Sequence, residues 1–116
     1  MRASTQVASE DVLTLAVEVL RVLADPTRLQ IAQLLLDDEC SVSELAAALE
    51  RPMPGVSQHL AKMRMARLVS TRRQGTVVLY RVENDHVRAL VTDTLGHVEH
   101  LIEDVPSHHR AAEVQS

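Results

Sequence analysis

At 116 residues the chain has room for one domain and little else. Hydrophobic residues make up 46% of it, yet Tyr80 is the only aromatic, so Leu, Val, Ala and Met must fill a helical core, and base stacking on single-stranded nucleic acid is disfavoured. Cys40 is the only cysteine, the formal net charge is −4, and no apolar run or signal-peptide core is present, which excludes a disulfide framework and a membrane span and points to a soluble, cytoplasmic protein.

Residues 1–9 are small and polar and read as a flexible N-terminus. From Asp11, the residues Val12, Leu15, Val19, Val22 and Leu23 recur at helical spacing, predicting a first helix to about Ala24. Asp25-Pro26 restarts the chain as N-cap and first helical residue. The second helix, to Leu36, is expected to bury Leu29, Leu34, Leu35 and Leu36 as a nearly continuous wall, and to end at Asp37-Asp38-Glu39. Ser41-Val42-Ser43-Glu44 is a capping-box pattern that opens a short third helix through Leu45 and Leu49. A turn over residues 50–54 leads into a fourth helix. Gln74-Gly75 is expected to form a hairpin turn between two β-prone runs. Asn84 caps a last helix that runs to about Ile102, and Pro106 breaks it before a tail with His108 and His109. The expected order is ααααββα, mainly α with a small hairpin wing: a winged helix-turn-helix over residues 10–102, with residues 103–116 as a His-containing tail. A helical subunit this small leaves an apolar helix face for a partner, so a homodimer through the first and last helices is expected.

Charge is concentrated in the middle of this order. Arg51, Lys62, Arg64, Arg67, Arg72, Arg73 and Arg81 lie between residues 51 and 82, a stretch without Asp or Glu. The window is therefore +7 and the rest of the chain −11, an acidic protein with one basic face for phosphates. Placing Val56 at zero on a helical wheel brings Leu60 and Met63 within roughly 40° of it, the buried side. Gln58, Ala61, Lys62 and Met65 point the opposite way, with Ser57 and Arg64 on a flank. Gln58 suits an adenine edge, Ser57 a base or a phosphate, and Lys62 and Arg64 phosphates or guanine. His59 lies on the boundary, where contact and packing roles are equally open. Arg72 and Arg73 at the hairpin would reach the DNA backbone or the minor groove. This layout is that of a winged helix that reads duplex DNA.

Five of the six histidines fall in the last 31 residues. His86, Asp93, His97 and His100 share one stripe of the last helix, beside an apolar stripe of Val87, Val91, Thr94, Val98 and Leu101 that is the expected dimer seam. His86 and His97 are about 16 Å apart along the axis, too far to share a metal within one subunit. If the helix pairs antiparallel with its dimer mate near Asp93, His86 comes opposite the second chain's counterpart of His100. The spacing then makes two symmetric sites, each with two imidazoles from one chain and a third from the other. Without a thiolate, such a set fits nickel, cobalt or zinc.

The runs LADPTRLQIAQLL, SVSELAAAL, VSQHLAKMRMARLV and RRQGTVVLYRV resemble the ArsR/SmtB family of bacterial winged-helix repressors from about residue 15 to 102. The resemblance implies a homodimer, an operator with imperfect two-fold symmetry, and repression usually released by a metal ion. A pair of cysteines at the start of the third helix serves soft ions in that family. Ser41 and Ser43 stand there in this chain, and Cys40 beside them reads as a small, partly buried residue. The last-helix site of the family is an acid-x-His followed by His-x-x-His/Glu, and here Asn84 replaces the usual Asp. The combination ENDHVRALV…EHL…PSHHRAA resembles the nickel/cobalt-responsive branch, in which tail histidines complete a higher-coordinate site. That likeness brings in His108, His109 and Glu99. Glu99 points away from the His86 stripe and would join through local distortion or a separate tail-end cluster.

No phosphate loop, nucleophile elbow or HExxH motif is present, so an enzyme is not expected. The expected function is a DNA-binding regulator, a repressor, whose operator affinity is controlled by a transition metal, nickel or cobalt ahead of zinc. The alternative is a winged-helix factor that senses nothing itself and acts constitutively or through a separate sensor partner.

Overall fold

Capping chemistry punctuates the chain into seven elements over residues 6–104, the part that the computed structural model describes. They are α1 (Glu10–Leu23), α2 (Pro26–Asp37), α3 (Val42–Leu49), α4 (Met53–Met65), β1 (Val69–Gln74), β2 (Val77–Val82) and α5 (Asp85–Glu103), in the order expected. Ser9 opens α1 by accepting from the Val12 amide at 3.3 Å. Asp25 breaks the chain and opens α2, its carboxylate accepting from the Arg28 amide at 3.0 Å. In α3 the capping box is complete: Ser41 Oγ accepts from the Glu44 amide at 3.2 Å, and Glu44 Oε1 from the Ser41 amide at 2.9 Å. Glu50, at φ 54°, ends α3 in the left-handed region. Asn84 Oδ1 accepts from the Val87 amide at 3.1 Å and starts α5.

The hairpin differs by one position from the expectation. Gln74 pairs with Val77 in the antiparallel register, so the two loop residues are Gly75 and Thr76. Gly75 has φ 66° and Thr76 is not among the positive-φ residues, the pattern in which glycine takes the first central position of a two-residue turn. A second sheet contact anchors the hairpin. Cys40 and Tyr80 form an isolated antiparallel bridge, with N···O distances of 3.1 and 2.8 Å.

The core gathers Ile31 and Leu35 of α2, Leu45 of α3, Val56, Leu60 and Met63 of α4, Leu68, Val69 and Val82 at the hairpin base, and Val91 of α5. The leucine wall expected on α2 is not what the helix buries. Thr27, Ile31, Ala32 and Leu35 face inward, whereas Leu29, Leu34 and Leu36 are half-buried. Three consecutive residues spread over roughly 200° of a helix, so they cannot share a face, while positions four apart can.

The expected seam on α5 is divided in the same way. Val91 is buried within the protomer and Val87 packs half-buried against the core. Val98, Leu101 and Ile102 remain exposed at the far end, and α1 exposes Val12, Leu13, Leu15, Val17 and Leu20. The first half of α5 lies against α2, where the Arg88 guanidinium donates to the Leu36 carbonyl at 2.6 Å. Among the described residues no helix is long and apolar enough to cross a membrane.

Candidate nucleic-acid interface and the histidines of the last helix

Glu50 and Pro52 turn the chain from α3 into α4, and the buried side of α4 then dictates what it shows outward. Val56, Leu60 and Met63 are buried as the wheel predicts, so Ser57, Gln58, Ala61, Lys62, Arg64 and Met65 stand exposed. Met65 is 88% exposed. These side chains can offer an amide, a hydroxyl and two cations along one helix face.

The wing arginines are not equivalent. Arg73 makes no side-chain hydrogen bond or ion pair among the described residues, and it is exposed. Arg72 Nε lies 2.6 Å from Glu39 Oε2, in the acidic turn after α2. Arg81 donates to Ser70 Oγ at 3.2 Å, directly across the hairpin. Sequence reasoning missed the Glu39 partner.

His59 is half-buried, and its packing role is occupied. Its Nδ1 lies 3.0 Å from Arg28 Nη1 and 4.0 Å from Asp25 Oδ2. Arg28 Nε also donates to the Val22 carbonyl. The Asp25 carboxyl is held below its ordinary value, first by the Arg28 amide, whose effect exceeds that of desolvation, and then by the Arg28 charge. Nothing in the residue pattern signalled Arg28 as part of this site.

At the start of α3, two serines stand where the resemblance would place thiols. Ser41 Oγ is used by the cap and lies 3.1 Å from Ser43 Oγ. Cys40 is half-buried, with its thiol pushed up by burial and by the neighbouring Glu44 and Asp38.

On α5, His86, Asp93, His97, Glu99 and His100 are all exposed. No group of three His, Cys, Asp or Glu side chains that could hold a metal occurs among the described residues. His86 sits in the first turn, His97 and His100 one turn apart near the end, so one protomer does not bring them together. His108 and His109 lie outside the described residues. Asn84 spends its side-chain oxygen on the helix cap.

Comparison with known proteins agrees with this geometry. Residues 25–71 match the profile of the bacterial regulatory protein, arsR family. The chain is 56% identical over 103 residues to the HTH-type transcriptional regulator KmtR of Mycobacterium tuberculosis, covering 89% of this chain and 79% of that protein. It is 40% identical over 87 residues to the HTH-type transcriptional repressor SmtB of the same species, covering 75% of this chain and 64% of that one. Among solved structures, the homodimeric winged helix-turn-helix DNA-binding domain Mb0332 of Mycobacterium bovis superposes with a TM-score of 0.74 at 28% identity, over 82% of this chain and 91% of that one. A complete winged helix-turn-helix and a majority-identical relative lead to the same place: the chain belongs to the ArsR family of bacterial regulatory proteins, winged-helix transcriptional regulators and not enzymes.

Proposed function

We propose that the chain is a homodimeric operator-binding repressor whose grip on duplex DNA is set by a transition metal held between its two subunits. The observation that carries the DNA half is the exposed face of α4, with Gln58, Lys62 and Arg64 beside a free Arg73 in a window free of acidic residues. Docked in a major groove, Gln58 reads an adenine edge, with Ser57 beside it. Lys62, Arg64, Arg73 and a released Arg72 meet phosphates. Dimerisation is supported by the exposed apolar residues of α1 and of the second half of α5, and by the homodimeric state of the similar Mycobacterium bovis domain.

The metal half rests on the register of His86, His97 and His100, which are separated in one chain and complementary across an antiparallel pair of α5 helices. Glu99, His108 and His109 are the further donors. Three imidazoles without a thiolate suit nickel, cobalt or zinc, with nickel and cobalt favoured by the likeness to that branch of the family. Ligation across the twofold would fix the angle between the α5 helices and so the spacing of the two α4 helices, which is a coupling free energy between sites. Calorimetric titration of the purified dimer with each metal, with operator binding followed by anisotropy, tests this. Affinities that stay in the high micromolar range with unchanged DNA binding would reject the metal half alone.

One observation favours a second reading, a regulator that does not sense metal. Asn84 is engaged as the α5 cap where the family usually has a carboxylate. On that reading, a variant with His86, His97 and His100 all replaced by alanine regulates like the wild type in metal-supplemented cells.

A further inference from the structure

We propose that Arg28 is a positioning residue for the DNA-reading helix, and that His59 serves operator binding by receiving Arg28 rather than by touching DNA. The inference rests on the reading of α4 as the helix that enters the groove, and it adds what holds that helix in orientation.

Arg28 lies in the first turn of α2, where its amide is fixed by Asp25 Oδ2 at 3.0 Å. Its guanidinium then spans two other helices. Nε donates to the carbonyl of Val22 in the last turn of α1. The carbonyls of Leu20, Arg21 and Leu23 around it are taken by the amides of Ala24 and Asp25, so the guanidinium answers the remaining one. Nη1 lies 3.0 Å from His59 Nδ1 on α4. An arginine can only donate, so Nδ1 must be the accepting nitrogen of a neutral ring.

The apolar contacts of Val56, Leu60 and Met63 hold α4 against the core, but burial is non-directional. The Arg28–His59 bond is directional, and it grips α4 at the residue next to Gln58. It also joins α4 to the end of α1, the helix whose apolar side is exposed. The ring faces Arg28 and Asp25 from α2. From α1 the node receives the Val22 carbonyl, while Glu18 and Arg21 line the adjoining groove with Lys62 of α4 itself. A proton on Nδ1 would abolish the acceptor, set two cations side by side, and turn the ring toward Asp25, 4.0 Å away.

The test uses the full chain and a fluorescein-labelled duplex selected by the wild-type protein from a randomised pool. Affinity is read by anisotropy, with melting temperature and sedimentation as controls. Arg28→Ala and His59→Leu should bind roughly tenfold or more weakly, the scale of one lost charge-assisted hydrogen bond. His59→Asn places an amide oxygen near the position of Nδ1 and should stay within about twofold of the wild type. His59→Asn as weak as His59→Leu, with Arg28→Ala unimpaired, would show that the ring contacts DNA and overturn the proposal. So would unchanged affinity in every variant. If Arg28→Ala fails to fold, the two His59 variants decide. If the wild type selects no duplex, the operator-binding reading fails first and this inference falls with it.

Discussion

Arg72 on the wing lies 2.6 Å from the carboxylate of Glu39, in the turn that ends α2. One of the two wing arginines proposed to meet DNA is thus neutralised by the protein's own acidic segment at the end of α2, which also carries Asp37 and Asp38. Both partners remain partly exposed, so the pair is worth at most about 1 kcal/mol and a phosphate can displace it. Replacing Glu39 by Gln should leave the melting temperature nearly unchanged. It should tighten operator binding at low salt, and the plot of log affinity against log salt should steepen by up to about one unit. An unchanged slope would mean that Arg72 does not reach the DNA.

Gln58 and Lys62 share the exposed face of α4 but should fail differently. Gln58→Ala should cost about 1–3 kcal/mol at the preferred operator and relax the base preference at one position. Lys62→Ala should weaken all duplexes alike and reduce the salt slope by about one. A panel of singly substituted duplexes at two salt concentrations separates the two patterns.

Leu60 is fully buried on the opposite side of the same helix. Its truncation to Ala should destabilise the fold by about 2–5 kcal/mol, through lost burial and the remaining cavity. Denaturant unfolding measures this, and a loss below about 1 kcal/mol would contradict the packing described.

Asp25 should contribute to acid sensitivity. Its carboxyl titrates below the ordinary value when folded because the Arg28 amide, then the Arg28 charge, favours the anion. Stability from this depressed group is fully present above the unfolded-state pKa and is lost as pH falls through the lower folded one. Asp25→Asn keeps an N-cap oxygen but cannot titrate. It should therefore be less stable than the wild type near neutrality, with the difference shrinking as the solution is acidified. Parallel unfolding curves down the acid limb check the convergence.

Asn84→Asp should preserve α5, because either side chain caps the helix well. It would also place a carboxylate at the position that the family usually uses for metal. Zinc affinity should rise by about tenfold or more. Calorimetry on both proteins provides the comparison, and equal affinities would remove residue 84 from the site.

Local chemistry makes much of this architecture readable in the sequence. Asp25-Pro26, the Ser41/Glu44 box, Gly75 and Asn84 each act over two or three residues, and each marks a boundary close to where it occurs. The buried side of α4 was legible too, because Val56, Leu60 and Met63 recur at helical spacing. The misread parts are those where tertiary partners decide. A helical wheel cannot tell whether Val91 is covered by α2 or by a second copy. Nor can it choose among consecutive leucines 34–36. Arg28 meets His59 across 31 residues, and Glu39 meets Arg72 across 33. Neither pair leaves a local signal, so the run of basic residues does not disclose that Arg72 is already engaged, and Arg28 lies outside that run altogether.

Only Glu83 and Asn84 separate the end of β2 from the start of α5, and the Glu83 amide is pinned to the Leu68 carbonyl at 2.9 Å. With Tyr80 clasped to Cys40 just ahead of α3, the hairpin is tethered at its root on two sides. The joint is short and hydrogen-bonded on both sides. A twist applied to the terminal helix would be delivered to the hairpin and the reading head as one lever, instead of dissipating in a loose connector.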